Sequence, residues 1–325
     1  MKLSIIIPFY NPMPYFSQLL ESIDDNICSD REAIEIIFIN DGSDDSFSDV
    51  LNPFKEKYNN VYVINTENHG VSHAKNLGID QACGEYVWFV DSDDMLEKTA
   101  IQSVLDRIDF YKDKTDIIFG NCTYWDDINN VVTYSNYKYD QFLDDISFVN
   151  QTKDILQILF ADIKVNLATW YQLFRREFLN SEKIRFDTEL TVSEDLDFKF
   201  LTLSKAKTIG YLSDHIYRYR IPNSNRNSLS LKPLSPEKYL QIGMLYYKWY
   251  TYFKNISTIK NGGVFLSKKF SFFIYSISQQ IKKNITDDIS DEERFLVKAE
   301  NIYQDNKDHI SAVLSEIKNG NYSLI

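Results

Sequence analysis

The chain has 325 residues, 44% hydrophobic and 25% charged, the balance of a folded globular protein long enough for two domains or one large domain with an appendage. Lysine and arginine number 35 against 47 acidic residues, a net charge of −12, which argues against a general nucleic-acid binder because that role needs a basic footprint. Three widely spaced cysteines (Cys28, Cys83, Cys122) without a CxxC pair argue against a disulfide framework or a structural zinc site and fit a reducing cytoplasm.

Residues 3–20 carry no charge, yet Pro8, Pro12 and Pro14 interrupt them. The continuous apolar run Ile5-Ile6-Ile7 is too short for a signal peptide or a membrane span. Leu3–Ile7, Ile34–Ile39, Val61–Ile64, Tyr86–Val90 and Ile117–Phe119 are short apolar runs rich in β-branched and aromatic residues. Near-continuous apolarity predicts strands buried on both faces, as in a parallel sheet covered by helices. Between them, Phe16/Leu19/Leu20/Ile23, Val50/Leu51/Phe54/Tyr58 and Val71/Ala74/Leu77/Ala82 recur at helical spacing. This β-α-β-α rhythm predicts an open, doubly wound α/β sheet. Farther on, Val131–Tyr134 reads as an edge strand, and Asp154–Phe160 and Leu196–Leu203 read as helices. The tail beyond 230 reads as helical, with Ser235-Pro236 as a helix start and Ser290 to Glu293 as a capping box.

In such sheets ligands sit outside the carboxyl ends of the strands, so the polar residues following each run carry the chemistry. These are Pro8-Phe9-Tyr10-Asn11, Asn40-Asp41-Gly42-Ser43, and Asp91-Ser92-Asp93-Asp94. Alternate carboxylates at a strand end can point at one hard divalent cation that shares its oxygens with a diphosphate. A solvated acidic turn has the same composition. Counted from Asp41, Ser46 and Asn52 stand where an EF-hand needs glycine and glutamate, so that site is excluded. His69-Gly70-Val71 with Ala74-Lys75-Asn76-Leu77-Gly78 gives a polar loop entering a helix, a setting that suits an anion. No GxGxxG follows the first strand, as a dinucleotide oxidoreductase requires, and no Gly-rich, Arg-containing loop stands there, as a nucleotidyltransferase requires.

Four strings resemble glycosyltransferase family 2: Leu3 to Asn11, Asn40 to Ser43, Asn68 to Ile79, and Gly84 to Asp94. A weaker continuation runs through Trp170–Arg176, Ser193–Phe198 and Tyr217–Arg220. The resemblance implies a GT-A type nucleotide-diphospho-sugar-binding fold, a mainly parallel central sheet flanked by helices. It implies a catalytic domain over 1–230, with a nucleotide-binding half (1–120) and an acceptor-binding half (121–230), and leaves 231–325 as a helical extension. The activity implied is inverting transfer from a nucleotide-diphospho-sugar, a UDP-sugar foremost. The acceptor implied is a hydroxyl of a glycan, a lipid-linked or a glycoprotein acceptor in bacterial polysaccharide or glycan synthesis. Asp41 would hold the base, with Pro8 and Phe9 lining its pocket, and Asn11 and Ser92 would belong to the same donor site. Lys75, where the family more often has arginine, would meet diphosphate or ribose. Asp91 would approach the ribose and Asp93 a Mn2+ or Mg2+ ion. Glu194-Asp195 stands at the family's acidic pair, with Asp195 as the base and Glu194 orienting the acceptor. Acids in the first turn of a helix, capped by Ser193, are an equally ordinary reading of that pair. Trp170 is a candidate for stacking on an acceptor sugar or for the core. His215 is a candidate third metal ligand or a structural histidine, and Arg220 and Arg226 are candidates for the diphosphate. A non-catalytic carbohydrate-binding protein retaining the fold is the alternative to an enzyme.

Residues 238–286 hold eight lysines and no acidic residue, leaving −20 on the remainder of the chain. Interleaved with tyrosine, tryptophan and phenylalanine, they suit either packing against the acidic domain or lying on an anionic membrane surface at the cytoplasmic leaflet. A homo-oligomer is compatible with the sequence.

Overall fold

A computed structural model describes residues 1–27, 31–44, 47–112, 115–134, 147–148 and 169–221, with five further positions between 238 and 248. The readings of Asp154–Phe160 as a helix, of Arg226, and, those five positions apart, of the helical, lysine-rich tail lie outside these residues. The chain divides into two compact units. One comprises Met1–Ile155, Lys164–Glu189 and Glu194–Leu231; the other comprises Leu156–Ile163, Leu190–Ser193 and Lys232–Ile325. All that follows concerns the first.

Its opening half follows the alternation of the sequence: β1 (Leu3–Phe9), α1 (Phe16–Asn26), β2 (Ile34–Asp41), α2 (Ser48–Lys57), β3 (Val61–Thr66), α3 (Val71–Gln81) and β4 (Tyr86–Phe89). These four strands lie parallel in the order β3-β2-β1-β4, with Ile5 between Ile36 and Trp88. β1, β2 and β4 are buried along their whole length, as strands covered on both faces must be. Helix α3 lies close enough to β1 that a Cβ on Gly78 would stand 2.3 Å from Ile6 Cγ2. At the opposite end of the strands, buried Glu35 accepts from the Ser4 hydroxyl (2.6 Å) and from the Cys83 and Gly84 amides (2.6 and 3.1 Å).

The second half departs from a simple doubly wound sheet. It adds β5 (Met95–Leu96), α4 (Ala100–Tyr111), β6 (Ile117–Asp126), β7 (Val131–Tyr134), β8 (Ser147–Phe148), β9 (Gln172–Arg175), α5 (Arg176–Ser181), α6 (Glu194–Lys205) and β10 (Thr208–Arg220). The sheet continues β4-β9-β6-β10-β5. β9 is antiparallel to both neighbours, β6 and β10 are parallel, and β5 is antiparallel to β10. The outcome is one mixed sheet whose first four strands are parallel. β7 pairs antiparallel with β6 and is exposed throughout, an edge strand as its sequence predicts. Among the described residues, no helix is long and apolar enough to cross a membrane.

Candidate active site

The first strand-end turn is built by asparagines. Asn11, in the left-handed region (φ 46°), donates its amide to Ser43 Oγ (3.0 Å), and its Oδ1 accepts the Asp44 amide (2.9 Å). Asn40 Oδ1 accepts the Ser43 amide, shaping the turn that the Asn11 bonds tie to the end of β1. Pro8 is buried within β1, and the Phe9 ring packs against Phe16 and Phe47. Asp41, 4% exposed, receives the His69 and Gly70 amides on its two oxygens, both at 2.9 Å. That bond draws the 67–70 loop over the end of β2. Gly70, at φ 90°, makes the turn into α3 that a side chain would oppose.

The acidic turn after β4 divides its labour. Asp94 is fully buried: its carboxylate accepts from the Tyr217 hydroxyl (2.7 Å) and the Arg220 amide (2.8 Å), while the Asp91 amide donates to Tyr217 Oη (3.1 Å). Arg220, 1% exposed, donates to the Asp93 carbonyl (2.9 Å), to Asp127 (2.8 Å) and to Gln18, with its guanidinium over the rings of Tyr15 and Trp125. Arg220 thus sits beneath the turn as part of its frame. Asp91, Ser92 and Asp93 remain half-buried. Burial pushes the Asp91 carboxyl up to about 7; Lys75 opposes this, and the charges of Asp195, Asp93 and Glu194 add to it. Among the described residues, no cluster of three or more His, Cys, Asp or Glu side chains could hold a metal alone. One or two carboxylates on a strand-end turn nevertheless fit Mg2+ or Mn2+ when phosphate oxygens complete the shell.

Lys75 lies between the two halves of the unit. Its side chain is 2% exposed, with Nζ 2.6 Å from Asp195 Oδ1, 3.5 Å from Glu194 Oε1 and 5.0 Å from the Phe186 ring centroid. Burial works against its charge, but Asp195, Glu194 and Asp91 outweigh burial and hold the ammonium well above the ordinary lysine range. The Thr169 hydroxyl donates to the same Oδ1 of Asp195 (3.0 Å). Burial and the neighbouring Asp195 charge raise the Glu194 carboxyl, against Lys75. Helix α6, which carries both acids, is held by Phe198 stacked on Phe186 at 3.8 Å.

The structure therefore brings Lys75, Asp91, Glu194 and Asp195 into one electrostatic cluster, with Ser92 and Asp93 on the same turn as Asp91. Trp170 lies outside it: 3% exposed, the ring stacks on Tyr217 and Tyr219. His215 packs its ring against Tyr134. Thr169, Tyr217 and Phe186 carry no motif of their own and are found only through their contacts. For Tyr217 the one sequence signal is the string Tyr217–Arg220.

A parallel first half, a mixed second half and an acidic turn at their join define a GT-A type fold. The chain matches the S. aureus TarS fragment 1–349, solved in complex with UDP-GlcNAc, with a TM-score of 0.64 at 20% identity, covering 100% of this chain and 93% of that one. The chain belongs to glycosyl transferase family 2, which it matches over residues 4–180. It is 28% identical to the uncharacterized glycosyltransferase EpsJ of Bacillus subtilis, covering 76% of this chain and 70% of that protein. It is also 33% identical to the poly(ribitol-phosphate) beta-glucosyltransferase of Bacillus spizizenii, covering 74% of this chain but 35% of that protein.

Proposed function

We propose that the chain is an inverting glycosyltransferase that moves a sugar from a UDP-sugar to a hydroxyl of a bacterial cell-surface polymer or glycan. The observation that carries this reading is the meeting of the Asp91–Asp93 turn with Glu194 and Asp195 through buried Lys75. The neighbour solved with UDP-GlcNAc supports a uridine donor, and the glucosyltransferase relative supports a polymer acceptor.

In this reading the donor lies across the ends of β1, β2 and β4. Asp41 and the 67–70 loop take the base against Pro8 and Phe9, with Asn11 and Ser92 bordering the site. Asp91 meets the ribose, and Asp93 would hold a divalent ion. Such an ion, when bound, neutralises charge on the departing diphosphate. Asp195 removes the proton from the acceptor hydroxyl as that oxygen bonds to the anomeric carbon and the bond to the diphosphate breaks behind it. Glu194 orients the acceptor.

Asp195→Asn should lower transfer by about 100- to 10,000-fold while UDP still binds in calorimetry. Asp93→Ala should weaken UDP binding when Mn2+ or Mg2+ is present. Wild-type turnover in Asp195→Asn would remove the base assignment. Absence of UDP binding by the native chain, with and without either metal, would remove the donor assignment.

A further inference from the structure

Two donors from distant parts of the chain converge on one oxygen of Asp195. Lys75 Nζ reaches Oδ1 from α3 at 2.6 Å, and Thr169 Oγ1 reaches it from the segment before β9 at 3.0 Å. Both donors are buried, and among the described residues Oδ2 receives no hydrogen bond. A carboxylate held at one oxygen by two fixed donors cannot rotate freely, and its other oxygen is the better acceptor for an incoming proton. We propose that Lys75 and Thr169 are positioning residues that clamp Oδ1 of Asp195, making Oδ2 the oxygen that receives the acceptor proton. This rests on the assignment of Asp195 as the base.

The charged groups around the carboxylate agree with that role. Glu194 and Lys199 come from its own helix, Lys75 from α3, and Asp91 from the β4 turn. Lys75 is the cation in direct contact, so it offsets the repulsion between Glu194 and Asp195. Its side chain is 2% exposed and its Nζ is engaged by both acids. The clamp joins the nucleotide-binding helix to the base, so the base takes its orientation only when α3 is in place. The proton moves from acceptor hydroxyl to Oδ2 as the new glycosidic bond forms and the UDP bond breaks, so charge and atoms balance.

Thr169→Val and Thr169→Ser separate the hydroxyl from the shape of the side chain. UDP release from UDP-GlcNAc and UDP-glucose gives turnover, and calorimetry with UDP gives donor affinity. Thr169→Val should lower turnover roughly tenfold with UDP affinity unchanged, and Thr169→Ser should restore it. Lys75→Met should lower turnover on the order of 100-fold, the scale of a misplaced catalytic group. Lys75→Arg should recover most of that loss, again with UDP affinity unchanged. Equal turnover in Thr169→Val and Thr169→Ser overturns the clamp, as does a fall in UDP affinity in Lys75→Met that accounts for its lost activity. A double-mutant cycle of Thr169→Val with Asp195→Asn on urea unfolding needs neither donor nor turnover: additivity overturns the clamp, and coupling supports it. Asp195→Asn, assayed alongside, distinguishes the two failures, because full turnover there removes the base itself while an inactive variant leaves the clamp to be judged by the threonine pair.

Discussion

Lys199 stands one turn beyond Asp195 on α6, fully buried, with Nζ donating to the Tyr171 hydroxyl and lying over the rings of Tyr171 and Phe119. Burial drops its ammonium to about 7, against the pull of the Asp195 charge. The sign of the consequence follows from proton counting. Between about pH 7 and the ordinary lysine value of 10.5, the unfolded chain binds a proton that the folded chain has released, so stability gains with rising pH across that window. Below about pH 7 both states are protonated and the whole cost of burying the charge is present. Lys199→Met keeps the volume and removes the titration. Urea midpoints at pH 7, 8 and 9 should show the variant's advantage over the native chain shrinking as pH rises. A constant difference would assign the slope to other groups.

At the level of elements, the position of Lys75 depends on how near α3 approaches the sheet, and Gly78 sets that distance one turn later. A methyl there meets the branched Ile6 side chain rather than a pliable chain end. Gly78→Ala should therefore destabilise the fold by about 1–3 kcal/mol despite alanine's better helix propensity, read as a lowered urea midpoint with an unchanged slope. The elements that sequence exposes are those of this half. β1, β2 and β4 are near-continuous apolar runs, and α1 repeats its buried residues at helical spacing, whereas α3 buries Ser72, Ala74, Lys75, Gly78 and Ile79 and leaves Val71, read as part of its apolar face, exposed. β9 and β10 are not legible in that way. β10 carries Asp214, His215, Arg218 and Arg220 among its apolar residues, and its pairing with β6 slips twice between Tyr211 and Tyr217, so no alternation survives. The site divides similarly. The acidic turn and the Glu194-Asp195 pair stand out as strings, but Lys75 meets Asp195 across 120 residues and Thr169 lies 26 residues before it, separations that no local rule connects.

At the level of the molecule, the frame beneath the acidic turn has a consequence for the order of assembly. Arg220 closes contacts to Gln18, Asp93 and Asp127 that span 202, 127 and 93 residues, and Tyr217 reaches back 123 residues to Asp94. Pairings this remote are costly to close and belong late in folding. During synthesis, β1 to β4 leave the ribosome well before the residues that seat the turn between them. Until then the Asp94 carboxyl lacks its tyrosine and amide partners. A chain halted at Ala206 should contain β1 to β4 and yet fail to retain UDP on equilibrium dialysis, whereas one halted after Ile221 should retain it. The nascent chain would then stay silent until β10 emerges, committing no nucleotide sugar while the Asp94 carboxylate still lacks its seat.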